Sequence, residues 1–335
     1  MRTYRSAPFA GLASALFLAV FSSPSVGHEL YVTNEKDNTV TVINLSSLEV
    51  VRTIPVGRRP RGITFSKDGK QFFVCASDND AVQVFDTATD QHLYDLPSGS
   101  DPEQFVLSRD GTRLYIANED DAVTTVVDIQ SKIVLKQIDV GVEPEGMAIS
   151  PDDAIAVTTS ETTNMAHFID TKTFKSIADI LVDARPRHAE FTPDGKKLWV
   201  SSEIGGTISI IDVESKAIEK KISFSLPGVP PENIQPVGIK MTNDGKTAFV
   251  ALGPASRVAI IDIATASVTK YVVVGQRVWH LALSPAEDLL FSTNGVSNDV
   301  TVIDVESLRP VKSIKVGRYP WGAAVRFKTS VEAAR

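Results

Sequence analysis

The sequence of 335 residues contains one cysteine and three tryptophans, and aromatic residues make up only 7% of it. A single cysteine excludes an intramolecular disulfide, a CxxCH haem attachment and a thiolate zinc cluster. Because Cys75 lies inside the apolar run FFVCA, we expect a buried, inert side chain there. A nucleophile elbow, a phosphate loop and an HExxH motif are also missing from the sequence. Composition and motifs therefore give no direct sign of nucleophilic, phosphoryl-transfer or zinc-hydrolase chemistry.

Basic residues are not in excess. The chain has 34 Lys and Arg against 41 Asp and Glu, a formal net charge of −7. This acidic balance argues against a broad nucleic-acid-binding surface. Hydrophobic residues make up 43% of the sequence, which suits a globular protein with a sizeable core.

Residues 1–27 have the pattern of a secretory signal peptide. Two arginines near the start precede an apolar run over 9–21, and the small residues Ser25 and Gly27 follow. The apolar run is short for a membrane span, which makes an anchor the weaker alternative. We therefore predict cleavage before His28 and a periplasmic mature protein that is not bound to the membrane.

The chain shows no helical period, but it contains an internal repeat. An acid or amide that follows an apolar run recurs at Asn44, Asp86, Asp128, Asp170, Asp212, Asp262 and Asp304. All but one of the spacings are 42 residues, and the exception contains a Pro-rich insertion at 226–233. Each unit has four short β-like runs, and Asp68-Gly69 is typical of a tight hairpin turn. Four strands in about 42 residues are typical of a propeller blade.

The two ends of the repeat region complete each other. HELYVTN at 28–34 has the pattern of a second strand, and WGAAVRF at 321–327 matches the first strand RGITF at 61–65. The sequence thus predicts an all-β, seven-bladed propeller of four-stranded antiparallel blades over 28–327. Strand 321–327 would complete the N-terminal blade and close the ring, and 328–335 would form a tail. Closure removes the exposed strand edges that invite aggregation.

Several phrases of the repeat carry a family resemblance. LYVTNEKDNTVTVI, GVEPEGMAIS, SETTNMAHFID and LWVSSEIGGT resemble the YVTN-type β-propellers. The chain is most similar to the periplasmic β-propeller family associated with pyrroloquinoline quinone (PQQ)-dependent catabolism. The resemblance covers 28–327 and implies a secreted propeller that acts beside PQQ-dependent alcohol oxidation, without specifying a reaction. Propeller enzymes that hold PQQ would carry Trp-rich repeats and a longer chain, which this sequence lacks.

The links into the first strands collect the unusual residues on one face of the predicted propeller. Arginines supply paired donors for carboxylates and tryptophans supply stacking faces, which suits PQQ or an acidic patch on a partner dehydrogenase. The alternative is a solvated rim with tryptophans packed between blades. The candidate binding residues are Arg61, Arg187, His188, Arg277, Trp279, His280, Arg318 and Trp321.

Two further sets of residues could have either a structural or a chemical role. His188 and Glu190 point the same way on one strand, and Lys240 occupies the position of Glu190 in the next blade. A structural ion pair is the expectation, with general acid–base catalysis as the alternative. The acidic links and loops contain Glu103, Asp121 and Glu145, which could ligate a calcium-like ion or form a solvated acidic surface.

These features favour a monomeric, non-enzymatic binding or docking protein of PQQ-dependent alcohol oxidation, with PQQ as a possible ligand rather than a covalent cofactor. The alternatives are a propeller enzyme, either a lactonase-like hydrolase or a dehydrogenase subunit, and a metal-binding propeller that uses the acidic links.

Overall fold

A computed structural model of the chain describes residue 1 and residues 27–327. The described residues form 28 β-strands in seven four-stranded antiparallel sheets, together with two short 3-10 helices, Ser77–Asn79 and Pro231–Asn233. The seven-bladed propeller predicted from the repeat is confirmed. Apart from residues 1 and 27, the predicted signal peptide lies outside the described residues, as does the predicted tail 328–335. Within 27–327 no helix has the length and apolar character needed to cross a membrane.

The blades follow one another in chain order. Blade 1 contains β1 (Glu29–Asn34), β2 (Thr39–Asn44), β3 (Glu49–Pro55) and β28 (Pro320–Arg326). Blade 2 contains β4 (Pro60–Phe65), β5 (Gln71–Ala76), β6 (Ala81–Asp86) and β7 (His92–Pro97). Blade 3 contains β8 (Pro102–Leu107), β9 (Arg113–Asn118), β10 (Val123–Asp128) and β11 (Ile133–Asp139). Blade 4 contains β12 (Pro144–Ile149), β13 (Ile155–Ser160), β14 (Met165–Asp170) and β15 (Lys175–Leu181).

The remaining blades repeat the pattern. Blade 5 contains β16 (Pro186–Phe191), β17 (Lys197–Ser202), β18 (Thr207–Asp212) and β19 (Ala217–Ser223). Blade 6 contains β20 (Ile239–Met241), β21 (Thr247–Ala251), β22 (Arg257–Asp262) and β23 (Ser267–Val273). Blade 7 contains β24 (Val278–Leu283), β25 (Leu289–Asn294), β26 (Asp299–Asp304) and β27 (Arg309–Lys315). The first strand of each blade is the innermost strand and the fourth is the outermost.

Strand β28 closes the ring by pairing with β1. The ladder runs from Asn34 opposite Pro320 to Glu29 opposite Arg326. The hydroxyl of Thr33 reinforces it, since it accepts a hydrogen bond from the Gly322 amide at 2.8 Å. The strand begins and ends one residue earlier than the predicted 321–327. Phe327 follows the last paired residue; its side chain is 64% exposed, and its ring centroid lies 6.1 Å from that of His28.

The repeated acid or amide caps the turn between the third and fourth strands. In blade 5, Asp212 Oδ1 accepts hydrogen bonds from the amide of Ser215 at 2.8 Å and from its hydroxyl at 2.7 Å. Asp304 makes the same contacts with Ser307 in blade 7. An aspartate that bonds its own backbone a few residues on stabilises a turn. The 42-residue spacing of these residues therefore reflects the presence of one such turn in each blade.

The core lies between blades rather than within one sheet. Tyr31 and Val42 of blade 1, for example, pack in one cluster with Phe72 and Val74 of blade 2. Cys75 is fully buried in the cluster that joins blades 2 and 3, as predicted. Because each cluster belongs to two neighbouring blades, the ring must close for every cluster to be complete.

Candidate functional site

Three rings of side chains, each with one residue per blade, line the axis of the propeller on the innermost strands and the links before them. The link ring consists of Arg61, Glu103, Glu145, Arg187, Val237, Trp279 and Trp321. The histidine ring consists of Gly62, Gln104, Gly146, His188, Gly238, His280 and Gly322. The cavity ring consists of Thr64, Val106, Ala148, Glu190, Lys240, Ala282 and Ala324. The link ring lies toward the link face, where the chain passes from blade to blade, and the cavity ring lies toward the turn face, which carries the Asp-Gly turns.

Arg187 is the centre of a buried ion-pair network in the link ring. It is only 5% exposed and forms a hydrogen bond with Glu161. Its Nη2 lies 3.2 Å from Glu145 Oε1, and its Nε lies 3.7 Å from Glu203 Oε2. All three carboxylates are themselves buried. The positive charge of Arg187 is therefore balanced by buried carboxylates of the protein.

The other arginines of the link face are also paired. Arg61 lies 3.5 Å from Glu103 and 3.6 Å from Glu35. Arg277 donates to Glu203 at 2.6 Å. Arg318, which has an exposed side chain, donates from Nε to Asp37 Oδ1 at 2.5 Å.

Both tryptophans of the link ring are covered by these arginines. The guanidinium carbon of Arg61 lies 5.0 Å from the Trp321 ring centroid, and Trp321 is 1% exposed. Trp279 has Arg277 at 3.9 Å and Arg187 at 5.4 Å from its ring centroid. The expected stacking faces are thus already filled by cations of the protein.

The arginines and tryptophans that the sequence offered for binding an anionic ligand are therefore engaged within the protein. The links and loops that supply the arginines also supply Glu35, Asp37, Glu103, Glu145, Glu161 and Glu203 as their partners. PQQ is a flat tricarboxylate, so it needs free guanidinium groups and an open indole face. The residues of the link ring therefore do not fit PQQ.

Crowded carboxyl groups on the link face hold protons more tightly than usual. Burial, together with the charges of Glu103 and Asp101, raises the pKa of Glu119 to about 8. Burial and Glu103 raise the pKa of Asp101 to about 6, although Arg59 opposes the rise. Burial also raises the pKa of Glu145 well above its usual range, against the effect of Arg187. The link face is thus a compact network of arginines and partly protonated acids.

The three candidate metal ligands, Glu103, Asp121 and Glu145, are not grouped with one another in the structure. Glu103 is grouped with Asp101 and Glu119, and one carboxylate oxygen from each lies within 4.8 Å of the others. Arg59 sits among these three carboxylates, with its Nη2 2.6 Å from Asp101. The Asp121 carboxylate instead accepts from the Ser100 amide at 2.6 Å, and Glu145 pairs with Arg187. The positive charge in this cluster is supplied by an arginine.

The histidine ring combines four glycines with three large side chains. The glycines let the backbones approach closely, and the three large side chains fill the remaining space on the axis. Gly146 and Gly322 have no room for more, since a Cβ there would lie 2.6 Å from the Arg187 carbonyl oxygen and 2.5 Å from that of Arg61. His188 and His280 fill the space, with ring centroids 5.6 Å apart, and His280 contacts Trp321 at 4.2 Å. Gln104, His188 and His280 are all at least nine-tenths buried. Together with the link ring they close the axis toward the link face.

An ion pair stands in the otherwise uncharged cavity ring. Lys240 Nζ lies 3.2 Å from Glu190 Oε2, and His188 Nε2 lies 3.4 Å from the same oxygen. Burial alone would raise the pKa of Glu190, but Lys240 and His188 outweigh it and lower the pKa to about 2. Burial lowers the pKa of His188 despite the opposing effect of Glu190, so this imidazole is neutral at pH 7. The predicted pairing of Glu190 with Lys240 is confirmed.

A cavity of about 730 Å³ begins at the histidine ring and extends to the turn face. Its floor includes Gln104, His188, His280 and Trp321, and its outer end is lined by Lys67, Arg109, Asn243, Glu287 and Phe327. Of the eight predicted binding residues, His188, His280 and Trp321 line this axial cavity. The other five do not: Arg61, Arg187, Arg277, Trp279 and Arg318.

The turn face holds cavity residues that the sequence-based prediction did not include. Lys67, Arg109 and Asn243 occupy one repeat position, two residues after the end of the first strand, where blades 4, 5 and 7 have proline. This variation among the repeat copies is the sequence signal for the end at which the cavity opens.

Comparison with known proteins agrees with the seven-bladed propeller architecture, and one family model matches just under half of the chain. Residues 153–317 match the family described as lactonase, 7-bladed beta-propeller. No curated protein matches the sequence.

Solved structures of the same architecture include several enzymes. Hydrazine synthase from Kuenenia stuttgartiensis is 20% identical over 87% of this chain and 99% of its own, with a TM-score of 0.75. A putative 6-phosphogluconolactonase from Bacteroides fragilis NCTC 9343 is 18% identical over 91% and 99% of the two chains, with a TM-score of 0.75. The dihydro-heme d1 dehydrogenase NirN, solved in complex with DHE, is 15% identical over 91% and 76%, with a TM-score of 0.68. At these identities the similarity shows the fold alone.

Proposed function

We propose that this protein binds a small organic molecule in the axial cavity, which the molecule enters from the turn face. The observation that carries the proposal is the Glu190–Lys240 ion pair. It lies among alanines, Val106 and Thr64 in a cavity large enough for a small ligand. A concave, mostly apolar cavity with a few converging polar groups is the usual form of a ligand site. A charged pair kept there gives a ligand both a donor and an acceptor.

Removing the ion pair should weaken ligand binding without unfolding the protein. In the double variant Glu190→Gln, Lys240→Met we expect the dissociation constant to rise about tenfold or more, the usual effect of losing a charged hydrogen-bond partner. Calorimetric titration of PQQ, glucono-δ-lactone and hexanoate would measure it. The matched control is Glu49→Gln, Lys312→Met, which removes an ion pair on the outer strands of blades 1 and 7. Equal affinities of the two double variants for every probe would contradict the proposal.

The role beside PQQ-dependent alcohol oxidation and docking to a PQQ-dependent dehydrogenase rest on the sequence resemblance, and the periplasmic location rests on the signal-peptide pattern together with that resemblance. PQQ is therefore one of the probes. We expect PQQ to bind weakly, because the link-ring arginines are paired and Lys240 is already balanced by Glu190.

Lactone hydrolysis is a second candidate function, favoured by the match of 153–317 to the lactonase family. In such a reaction neutral His188, oriented by Glu190, would take a proton from water, and Lys240 would stabilise the developing oxyanion. The geometry gives this function less support. His188 is buried beneath the cavity, and Glu190, with a pKa of about 2, is a weak base.

We accordingly expect no turnover of sugar lactones above the uncatalysed rate. The measurement is pH-stat titration of glucono-δ-lactone hydrolysis with and without the protein. Robust hydrolysis that disappears in Glu190→Gln but persists in Glu49→Gln would establish the enzyme instead.

A further inference from the structure

The polar side chains of the axial cavity lie on two opposite walls. In a ring of seven blades, the position opposite blade 2 falls between blades 5 and 6. At the level of the cavity ring, Thr64 of blade 2 therefore lies across the axis from the ion pair of Glu190 and Lys240. The flanks between these walls are lined by small apolar residues: Val106, Ala148, Ala282 and Ala324. The cavity thus has two polar walls and two apolar flanks.

Two cations lie at the outer end of the wall formed by blades 2 and 3. Lys67 and Arg109 are exposed, line the cavity and occupy equivalent positions of neighbouring blades. Lys67 lies against the turn that follows Arg109, since a Cβ on Gly111 would be 3.2 Å from Lys67 Cβ. Neither charged group makes an ion pair or a hydrogen bond with any described residue. The remaining lysine of the cavity, Lys240, is paired with Glu190.

The aspartates that follow these two cations are bound within their own turns. Asp68 Oδ1 accepts a hydrogen bond from the Ser66 hydroxyl at 2.7 Å, and Asp110 Oδ1 accepts one from the Ser108 hydroxyl at 2.6 Å. Both aspartates line a second cavity of about 470 Å³ between blades 2 and 3, and neither lines the axial cavity. This wall therefore presents its cations to the axial cavity without their neighbouring acids.

The opposite wall carries carboxylates. Glu287 lines the outer end of the cavity and accepts a hydrogen bond from the Asn243 amide at 2.8 Å, but it has no basic partner among the described residues. Deeper in the cavity, the side chains of Glu190 and Lys240 are 26% and 35% exposed, so both stay accessible although they are paired. One wall thus has two cations without partners, and the other has two carboxylates with a single lysine.

We infer that the axial cavity binds a zwitterion of the ω-amino acid type, with a carboxylate and an ammonium group at opposite ends. Its carboxylate lies toward Lys67 and Arg109, and its ammonium group lies toward Glu190 and Glu287. Charged groups form the stronger hydrogen bonds, and a guanidinium offers a carboxylate two parallel donors. The inference rests on the proposed function, since it names the chemical class of ligand for the same cavity.

Probes with one six-carbon chain test this class directly. 6-Aminohexanoate carries both charges, hexanoate lacks the ammonium group, and hexylamine lacks the carboxylate. In calorimetric titrations of the full-length protein, we expect 6-aminohexanoate to bind about fivefold more tightly than either, the upper effect of one ion pair at an accessible site. If 6-aminohexanoate binds no more tightly than hexanoate or hexylamine, the inference is overturned while a ligand site remains. If none of the three binds, and neither PQQ nor glucono-δ-lactone binds, the proposed function fails as well.

Removal of the two cations tests where the carboxylate lies. In the double variant Lys67→Met, Arg109→Met, the affinity for 6-aminohexanoate should fall about fivefold, whereas that for hexylamine should change less than about twofold. The matched control is Lys196→Met, Lys246→Met, which removes two exposed lysines of the turn face that do not line the cavity. It should change neither affinity. Equal losses of 6-aminohexanoate affinity in the two double variants would mean that only net charge matters, and would contradict the inference.

Discussion

Deleting 321–335 is expected to leave a chain that is insoluble or rapidly proteolysed. The deletion removes nearly all of β28, exposes the edge of β1 and takes away Trp321, which is 1% exposed. Truncation of a buried tryptophan alone costs about 3–5 kcal/mol. The deletion also removes the hydrogen bonds between β28 and β1 and the packing of Val325. The summed loss in the free energy of unfolding then approaches the net stability of a typical domain, about 5–15 kcal/mol. Soluble yield and resistance to a non-specific protease would measure the effect.

The matched control for this deletion is a chain that ends after Phe327. It keeps all 28 strands and should melt at the same temperature as the full-length protein. A 321–335 deletion that also melts like the full-length protein would show that ring closure contributes little to stability.

Substitution of Arg187 by methionine should be the most destabilising single change at the link face. Methionine keeps an unbranched side chain under Trp279 but removes the cation that Glu145 shares with Glu161 and Glu203. Glu161 and Glu203 keep Arg185, and Glu203 also keeps Arg277, so the loss falls mainly on Glu145. Removing one partner of a buried ion pair costs about 3–5 kcal/mol. Denaturant titration at pH 7.5 would give the change in the free energy of unfolding. Arg318→Met, which removes an exposed pair with Asp37, should cost less than about 1 kcal/mol.

The deficit of Arg187→Met should also depend on pH. Burial would raise the pKa of Glu203, but Arg187, with help from Arg277 and Arg185, holds it below its usual value near 4.5, so loss of the guanidinium raises this folded-state pKa. Ionisation of Glu203 then stabilises the folded protein less than before, and the deficit grows as pH rises through and above the unfolded pKa. We therefore expect the largest loss near pH 8 and the smallest near pH 5. A deficit that is constant over this range would show that the three carboxylates are not what the arginine stabilises.

Much of this architecture could be predicted because each feature depends on sequence spacing. The aspartate that caps one turn per blade recurs at equal intervals, and a first strand at the C-terminus has only one edge left to pair with. The Glu190–Lys240 ion pair follows from equivalent positions in neighbouring blades. In each case, knowing the repeat position fixes the height and the direction of the side chain.

The partners of the link-face arginines could not be predicted in the same way. Arg59, Arg185 and Arg277 have φ values between 51° and 58°, in the left-handed region, just before the first strand. This conformation is uncommon for residues other than glycine, and the sequence gives no signal for it at these positions. It directs the side chains differently from an extended link. Arg59 thereby reaches Glu103 of the next blade, and Arg277 reaches Glu203 two blades away.

The end at which the axis closes depends on side-chain volume rather than on the repeat. His188, His280 and Gln104 fill the histidine ring, whereas alanines leave space at Ala148, Ala282 and Ala324. The repeat pattern alone does not indicate which face of the propeller is open. Only the packed side chains show that the cavity belongs to the turn face.

The closed histidine ring has a consequence for exchange kinetics. A molecule in the axial cavity can leave only through the opening by which it entered, so an arriving molecule cannot push it out from behind. Replacement of one ligand by another must wait for spontaneous departure, and its rate will not rise with the concentration of the competitor. A polymer cannot thread through such a space, although a free chain end can enter it. A cavity closed at one end would therefore hold any bound molecule for as long as that molecule's own dissociation allows.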